Sequence, residues 1–357
     1  MGQLDQSVVD VVGTAELAHI VGYLRDRILP SDVIDQVDLN GEKFACVEYA
    51  RQPAVKKLAA EEHDVSVVAA PTTVPKDVAQ RISALADDQG NRPELAAQKA
   101  DHECPAGTVP VREVSVADVA AYGSLKKYLT KPPPAGVGYE YAHARRTIAN
   151  YGAASSINIW NPYVSSTGAQ DHSISQMWVS RGSGGSTETV EAGWVRRKTG
   201  DSRLFIFTTS DGYGAADDGV IDCEGSTTSC CWNNDCAFIQ NSGTGVYLDG
   251  TFNGYSTSGG AQSEARYFLF KDNTTGDWWF NYQGTWVGRW PAQSTIAAAF
   301  ATRPARSILA ARFTTTLPPT TRSREWAETA PLRLAGMGMP PIKTSFSTRP
   351  SAVATTS

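Results

Sequence analysis

The chain has 357 residues, 41% hydrophobic and 19% charged, which suits packed cores in about two domains and argues against global disorder. A net charge of −5 argues against a nucleic-acid binder, which would show a basic balance or stripe. No stretch approaches 18 uninterrupted apolar residues, so no transmembrane helix and no membrane partner are expected, and Met1 to Asp10 lack the pattern of a secretory leader.

In chain order, Val8, Val9, Val12, Leu17, Ile20, Val21 and Leu24 recur at helical spacing. With Arg25, Arg27 and then Pro30, they predict a helix up to about residue 30. Phe44 to Tyr49 reads as a short strand, and the polar, Ala-rich span from Ala79 to Ala100 as a loop or loose helix. Val114 to Leu129 is expected to be helical, with Ser115 as N-cap and Asp118 at the third helical position. Pro132, Pro133, Pro134 and Gly136 then stop the helix. The division is an N-terminal region over 1–131, and a linker and domain entry over 132–150.

Beyond the linker, short β-rich runs alternate with Gly, Asn, Ser and Asp clusters: 156–160, 175–179, 190–194, 203–208, 267–270 and 278–282. That cadence predicts an all-β domain, an antiparallel β-sandwich over 151–340. Asn273 to Asp277 and Gly259–Gly260 look like hairpin turns. The tryptophans on these strands either fill the core or form an aromatic floor for a peptide or sugar. Trp194 and Trp279, each near a polar strand neighbour, are the candidates for the floor. From Ala301 onward there are eight Arg and Lys against Glu325 and Glu328, or +6, which leaves −11 on the first 300 residues. This basic, Thr- and Pro-rich stretch reads as weakly structured, with 341–357 as a disordered tail.

Of six cysteines, Cys223, Cys230, Cys231 and Cys236 share one polar loop, while Cys46 and Cys104 lie upstream. Adjacent Cys230 and Cys231 do not supply the paired spacing that wraps zinc. An even count with clustered loop cysteines fits disulfides and an oxidising compartment. Extracellular localisation is therefore expected, despite the absent leader.

None of the five histidines has metal-ligand spacing, no Gly-x-Ser-x-Gly elbow occurs, and no cysteine is placed as a nucleophile beside a histidine. No metal and no cofactor are expected. Carboxylate chemistry remains. Glu191 stands among Val190, Ala192, Gly193 and Trp194, a strand setting that either suits acid–base work or simply faces solvent. Glu264, Asp211 and Asp272 look like turn or surface carboxylates.

The runs Ser156–Pro162, His172–Val179, Thr189–Trp194, Arg203–Phe205, Asp211–Tyr213, Asp272–Trp279 and Val287–Pro291 together resemble the neprosin domain, a family of prolyl-directed glutamic endopeptidases. Cys231-Trp-Asn-Asn-Asp-Cys236 is similar to that family's short cysteine loop. Phe44–Pro53 and Cys104–Arg112 resemble the activation segment that precedes such domains, so the likeness runs over about 44–291.

The resemblance implies a secreted zymogen whose propeptide is removed in acid. It also implies a sandwich bearing two catalytic glutamates that cleave a proline-rich peptide or protein after proline. Glu191 matches the first glutamate. The second falls in a Trp-Gly-Gly-Glu strand in the family; the nearest counterpart here is Glu325-Trp-Ala-Glu328, an imperfect match that makes Glu328 the candidate. Trp194, Trp279 and Tyr213 are the candidate substrate contacts. The expected disulfides are Cys231 with Cys236, Cys223 with Cys230, and Cys46 with Cys104. A close carboxylate pair cannot readily ionise twice, which implies an acidic optimum. A monomer is expected. The rival readings are a sugar- or ligand-binding sandwich, a glycoside hydrolase, and a neprosin-like protein inactivated by its divergent C-terminus.

Overall fold

The structure is a computed structural model that describes residues 11–76, 79–80, 94–129, 140–164, 172–183, 186–210, 212–213, 230–235, 237–292 and 305–313. The N-terminal region opens with α1 (Thr14–Arg27), which turns Leu17 and Ile20 inward. Glu16 in its first turn and Arg25 and Arg27 in its last complement the helix dipole. β1 (Val33–Leu39) and β2 (Glu42–Glu48) pair as a hairpin. Its turn is Asn40–Gly41, both at positive φ (55° and 83°), the two-residue geometry that Asn-Gly favours. α2 (Pro53–Ala60) starts on a proline, where no N–H is needed.

β3 (Glu94–Leu95) leaves this region and pairs in parallel with a sandwich strand. β4 (Thr108–Arg112) returns to complete a three-stranded sheet, β1-β2-β4. Cys46 in β2 and Cys104 just before β4 form a disulfide, as expected. The predicted helix over 114–129 is two helices, α3 (Val116–Ala120) and α4 (Leu125–Leu129). The predicted cap holds: Asp118 N–H donates to Ser115 Oγ at 3.1 Å, and Ser115 N–H donates to Asp118 Oδ2 at 2.9 Å. Gly123, at φ 79°, breaks the run, because only glycine adopts that conformation at little cost.

The remaining strands are β5 (Glu140–Asn150), β6 (Gly152–Asn158), β7 (His172–Arg181), β8 (Glu188–Arg197), β9 (Arg203–Thr209), β10 (Cys230–Trp232), β11 (Ile239–Gln240), β12 (Ser263–Lys271), β13 (Trp278–Tyr282), β14 (Thr285–Trp290) and β15 (Ala305–Phe313). One sheet has the order β10-β9-β8-β7-β15-β5; the other runs β11-β14-β13-β12, with β6 and β3 both on β12. Apart from β3, their pairings are antiparallel, so the all-β sandwich expectation stands.

Its core is aromatic and aliphatic. Met177, Val190, Ala192, Trp194 and Ile206 from one sheet pack with Ile157, Tyr267, Leu269, Trp278, Phe280 and Trp290 from the other.

Two expectations are revised. Glu140–Asn150, within the span read as linker and domain entry, is a sheet strand, and Ala305–Phe313, within the basic stretch read as weakly structured, lies between β7 and β5. An edge and an interior position of one sheet are filled by segments whose local composition does not announce them, because ladder pairing is a long-range choice. Residues 130–139, with the three prolines, and everything beyond 313 lie outside the described residues.

Candidate active site

Strand alternation places Glu191 on the opposite side of β8 from Val190, Ala192 and Trp194. Its direct partners in register are Trp178 on β7 and Phe207 on β9. The side chain is fully buried. Two hydroxyls donate to its Oε1, Thr189 Oγ1 at 2.7 Å and Tyr213 Oη at 2.6 Å. Short hydrogen bonds to a carboxylate are among the stronger ones, and they orient the group as well as satisfy it.

Tyr213 is itself held in place. Its N–H donates to Thr209 Oγ1 at 3.0 Å, and its ring stacks on Phe207 with centroids 5.8 Å apart. Its φ is 68°, a left-handed conformation that costs a bulky residue energy and persists only where the surroundings impose it. Gly193 explains another part of the local sequence. A Cβ there would lie 2.1 Å from the Ser175 carbonyl oxygen and 2.6 Å from Gln176 Cα, so only glycine lets β7 and β8 close at this point.

The same face continues into a second apolar cluster. Ile174, Val195, Phe205, Phe207, Tyr213 and Trp232 of the sandwich meet Ile20 of α1, Val119 and Ala120 of α3, and Leu125 and Leu129 of α4. The N-terminal region therefore packs on the face that carries Glu191.

Beside this apolar contact runs a charged junction. Arg112 Nη1 lies 3.1 Å from Asp249 Oδ2, and Arg197 Nη1 lies 3.7 Å from Asp249 Oδ1. Arg203 Nη1 donates to Glu42 Oε2 at 2.6 Å, and Arg27 pairs with Asp235. Burial alone would raise the Asp249 carboxyl, but Arg197, Arg112 and Arg203 outweigh it and hold it below the usual carboxylate range. Lys57, whose ammonium donates to the Asp235 carbonyl at 3.0 Å, is pushed down by burial. A cavity at this junction is lined by Arg27, Arg112, Tyr128, Arg197, Asn234 and Asp249 among others.

A third contact lies on the other sheet. Thr72 and Thr73 hydroxyls donate to Asp272 at 2.7 and 2.9 Å, and Arg289 Nη2 donates to the Ser66 carbonyl at 2.8 Å.

The candidate residues separate accordingly. Glu191 and Tyr213 come together. Trp194 does not join them: it is 1% exposed, packed between the sheets, and its Nε1–H donates to the Asn158 carbonyl at 2.8 Å. Trp279 is also 1% exposed and belongs to the other sheet, beside Trp286. Neither ring offers a floor to a substrate here, because alternation and burial assign both to packing. Trp178 is the residue missed. It is the half-buried member of a strand otherwise buried up to Ser180, and it stands opposite Glu191; the signal was the register between two strands, which no single run displays.

Glu264 and Asp272, read as turn or surface carboxylates, are both buried. Glu264 lies 3.6 Å from Arg266, and Asp272 holds the Thr72–Thr73 segment. Glu328, Asp211, Cys223 and Cys236 lie outside the described residues, as do the side chains of Cys230 and Cys231. Among the described residues, no group of three His, Cys, Asp or Glu side chains is arranged to hold a metal ion, and no helix is long and apolar enough to cross a membrane.

The fold and this site define an antiparallel β-sandwich with a buried, hydroxyl-held carboxylate on a face covered by an N-terminal region. Residues 169–304 match the family model described as Neprosin. Over those residues the chain is similar to the neprosin family, a likeness that points to a peptidase-like function.

Proposed function

We propose that this chain is a secreted glutamic endopeptidase, made as a precursor, that cleaves peptide bonds after proline in acid. The observation that carries the proposal is Glu191: a buried carboxylate within the family-matched segment, oriented by Thr189 and Tyr213, on the face that the N-terminal region occupies. In the proposed reaction two carboxylates divide the work, with Glu328 as the partner of Glu191. One, ionised, takes a proton from water as it attacks the scissile carbonyl; the other, protonated, stabilises the oxyanion and then protonates the departing amine. Trp178, opposite Glu191 and half-buried, would bear a substrate side chain, since an aromatic face suits the compact apolar ring of proline.

A closed Glu191 fits a precursor, in which substrate reaches the site only after the N-terminal region leaves. A lectin-like reading loses its support with the burial of Trp194 and Trp279.

The experiment is acid incubation of the full chain followed by mass spectrometry of proline-containing peptides, for the native protein and for Glu191→Gln. The amide keeps the shape of the side chain but cannot shuttle a proton, so the rate should fall by about a hundred- to ten-thousand-fold. Undiminished cleavage by Glu191→Gln rejects the glutamic mechanism. Release of reducing sugar from glycans, with no peptide product, transfers the site to glycoside hydrolysis.

A further inference from the structure

One exposed turn has no part in the peptidase reading. β12 enters β13 through residues 272–277, and three of these residues read Asn273-Thr274-Thr275. This is the only Asn-x-Ser/Thr in the 357 residues, and that triplet is the acceptor pattern for N-linked glycosylation when x is not proline.

The turn satisfies its own backbone without using the acceptor amide. Gly276 N–H donates to the Asp272 carbonyl at 2.7 Å, and Asp272 N–H donates to the Asp277 carbonyl at 2.9 Å. Thr274 N–H donates to Asp272 Oδ1 at 2.8 Å, and Asp277 N–H donates to Thr275 Oγ1 at 3.2 Å. Gly276, at φ 81°, closes the turn as only glycine does at little cost. Asn273, Thr274 and Thr275 are exposed between the buried Asp272 and Asp277. Among the described residues, no hydrogen bond engages the Asn273 side chain.

Among the described residues, Asn273 to Thr275 stand exposed to solvent. The hairpin belongs to the sheet opposite that of Glu191, so a glycan here leaves the Glu191 face clear. The Asp272 contacts to Thr72 and Thr73 lie at the buried flank of the turn and need not move.

We propose that Asn273 is an N-glycosylation site, an inference that rests on the reading of this chain as secreted. The reaction requires a lipid-pyrophosphate-linked oligosaccharide. The Asn273 amide nitrogen forms a bond to the anomeric carbon as the bond from that carbon to the pyrophosphate oxygen breaks. The lipid pyrophosphate departs with the bonding pair, and the amide proton passes to a base of the transferase.

The test is production of the full chain behind a secretory leader in a eukaryotic host, with peptide mapping of both secreted and retained protein. The expected result is a glycan mass on the Asn273 peptide that peptide N-glycosidase removes, leaving aspartate in place of that asparagine. Asn273→Gln and Thr275→Ala should each abolish the mass, and Asn273→Gln should cleave peptides as the unsubstituted chain does. An unmodified Asn273 peptide in both fractions overturns the proposal. Secretion is judged separately, on protein from its native source: free thiols at Cys46 and Cys104 would overturn that reading, and the natural modification with it, whatever the host result.

Discussion

The space between the two sheets and the junction between the N-terminal region and the sandwich are held by different physics. Between the sheets, β8 contributes Val190, Ala192 and Trp194 to a core of buried apolar side chains. Burial of apolar area is insensitive to proton concentration and is lost only by unfolding. At the junction, an apolar patch from α1, α3 and α4 is flanked by the pairs of Asp249, Glu42 and Asp235 with arginines. A paired buried carboxylate remains favourable only while it is charged. The contact between the sheets is thus indifferent to acid, whereas the charged part of the junction is expected to weaken once Asp249 is protonated.

The largest effect that separates the two should come from Trp194→Ala. Removing a fully buried indole costs about 3–5 kcal/mol, and the loss should appear as a lower midpoint for the whole sandwich in thermal or denaturant unfolding. A midpoint unchanged for the sandwich would mean that the core does not depend on this ring.

Asp249→Asn should act more locally. It keeps the shape but gives up charge-assisted contacts worth about 1.5–3 kcal/mol, leaving Arg112 and Arg197 without their shared anion. Limited proteolysis should then cut the N-terminal region faster while the sandwich resists. Equal loss of resistance in both regions would break the distinction.

The smallest effect, and the most specific in sign, is that of pH. Asp249 is depressed in the folded chain, so its contribution is complete above the unfolded carboxylate value of about 3.9. It drains away as pH falls through the lower folded value. Acid titration monitored by protease susceptibility of the N-terminal region should show release in that window, and Asp249→Asn should flatten the response. Release that sets in only above neutral pH would contradict the sign of the shift.

Much of the architecture was legible because local chemistry and tertiary demand agree. Alternating runs bounded by Gly, Asn and Asp became β6 to β9, β12 and β13. Ser115 and Asp118 capped a helix, and Asn273 to Asp277 made a turn. Where they disagree, the sequence misled. β15 sits inside a sheet although its neighbourhood is basic and rich in Thr and Pro, because a strand there is selected by β7 and β5 on either side. Glu264 and Asp272 read as surface carboxylates because nothing near them in the chain reveals Arg266 or the Thr72–Thr73 segment that partners them.

By itself the sequence determined the fold class, since period-two patterning is a local property; the resemblance carried by its motifs implied the Cys46–Cys104 pair and marked Glu191 as the carboxylate to examine. Only the tertiary structure decided which tryptophans are core and which borders the site. Strand alternation gives two faces but does not say which one a second sheet will cover; packing removed Trp194 and Trp279 and left Trp178 beside Glu191. It also decided what packs on the sheet face that carries Glu191. Side chains from α1, α3 and α4, separated by up to about a hundred residues in the chain, converge on that face because burying their apolar stripes there outweighs the entropy of bringing such distant segments together.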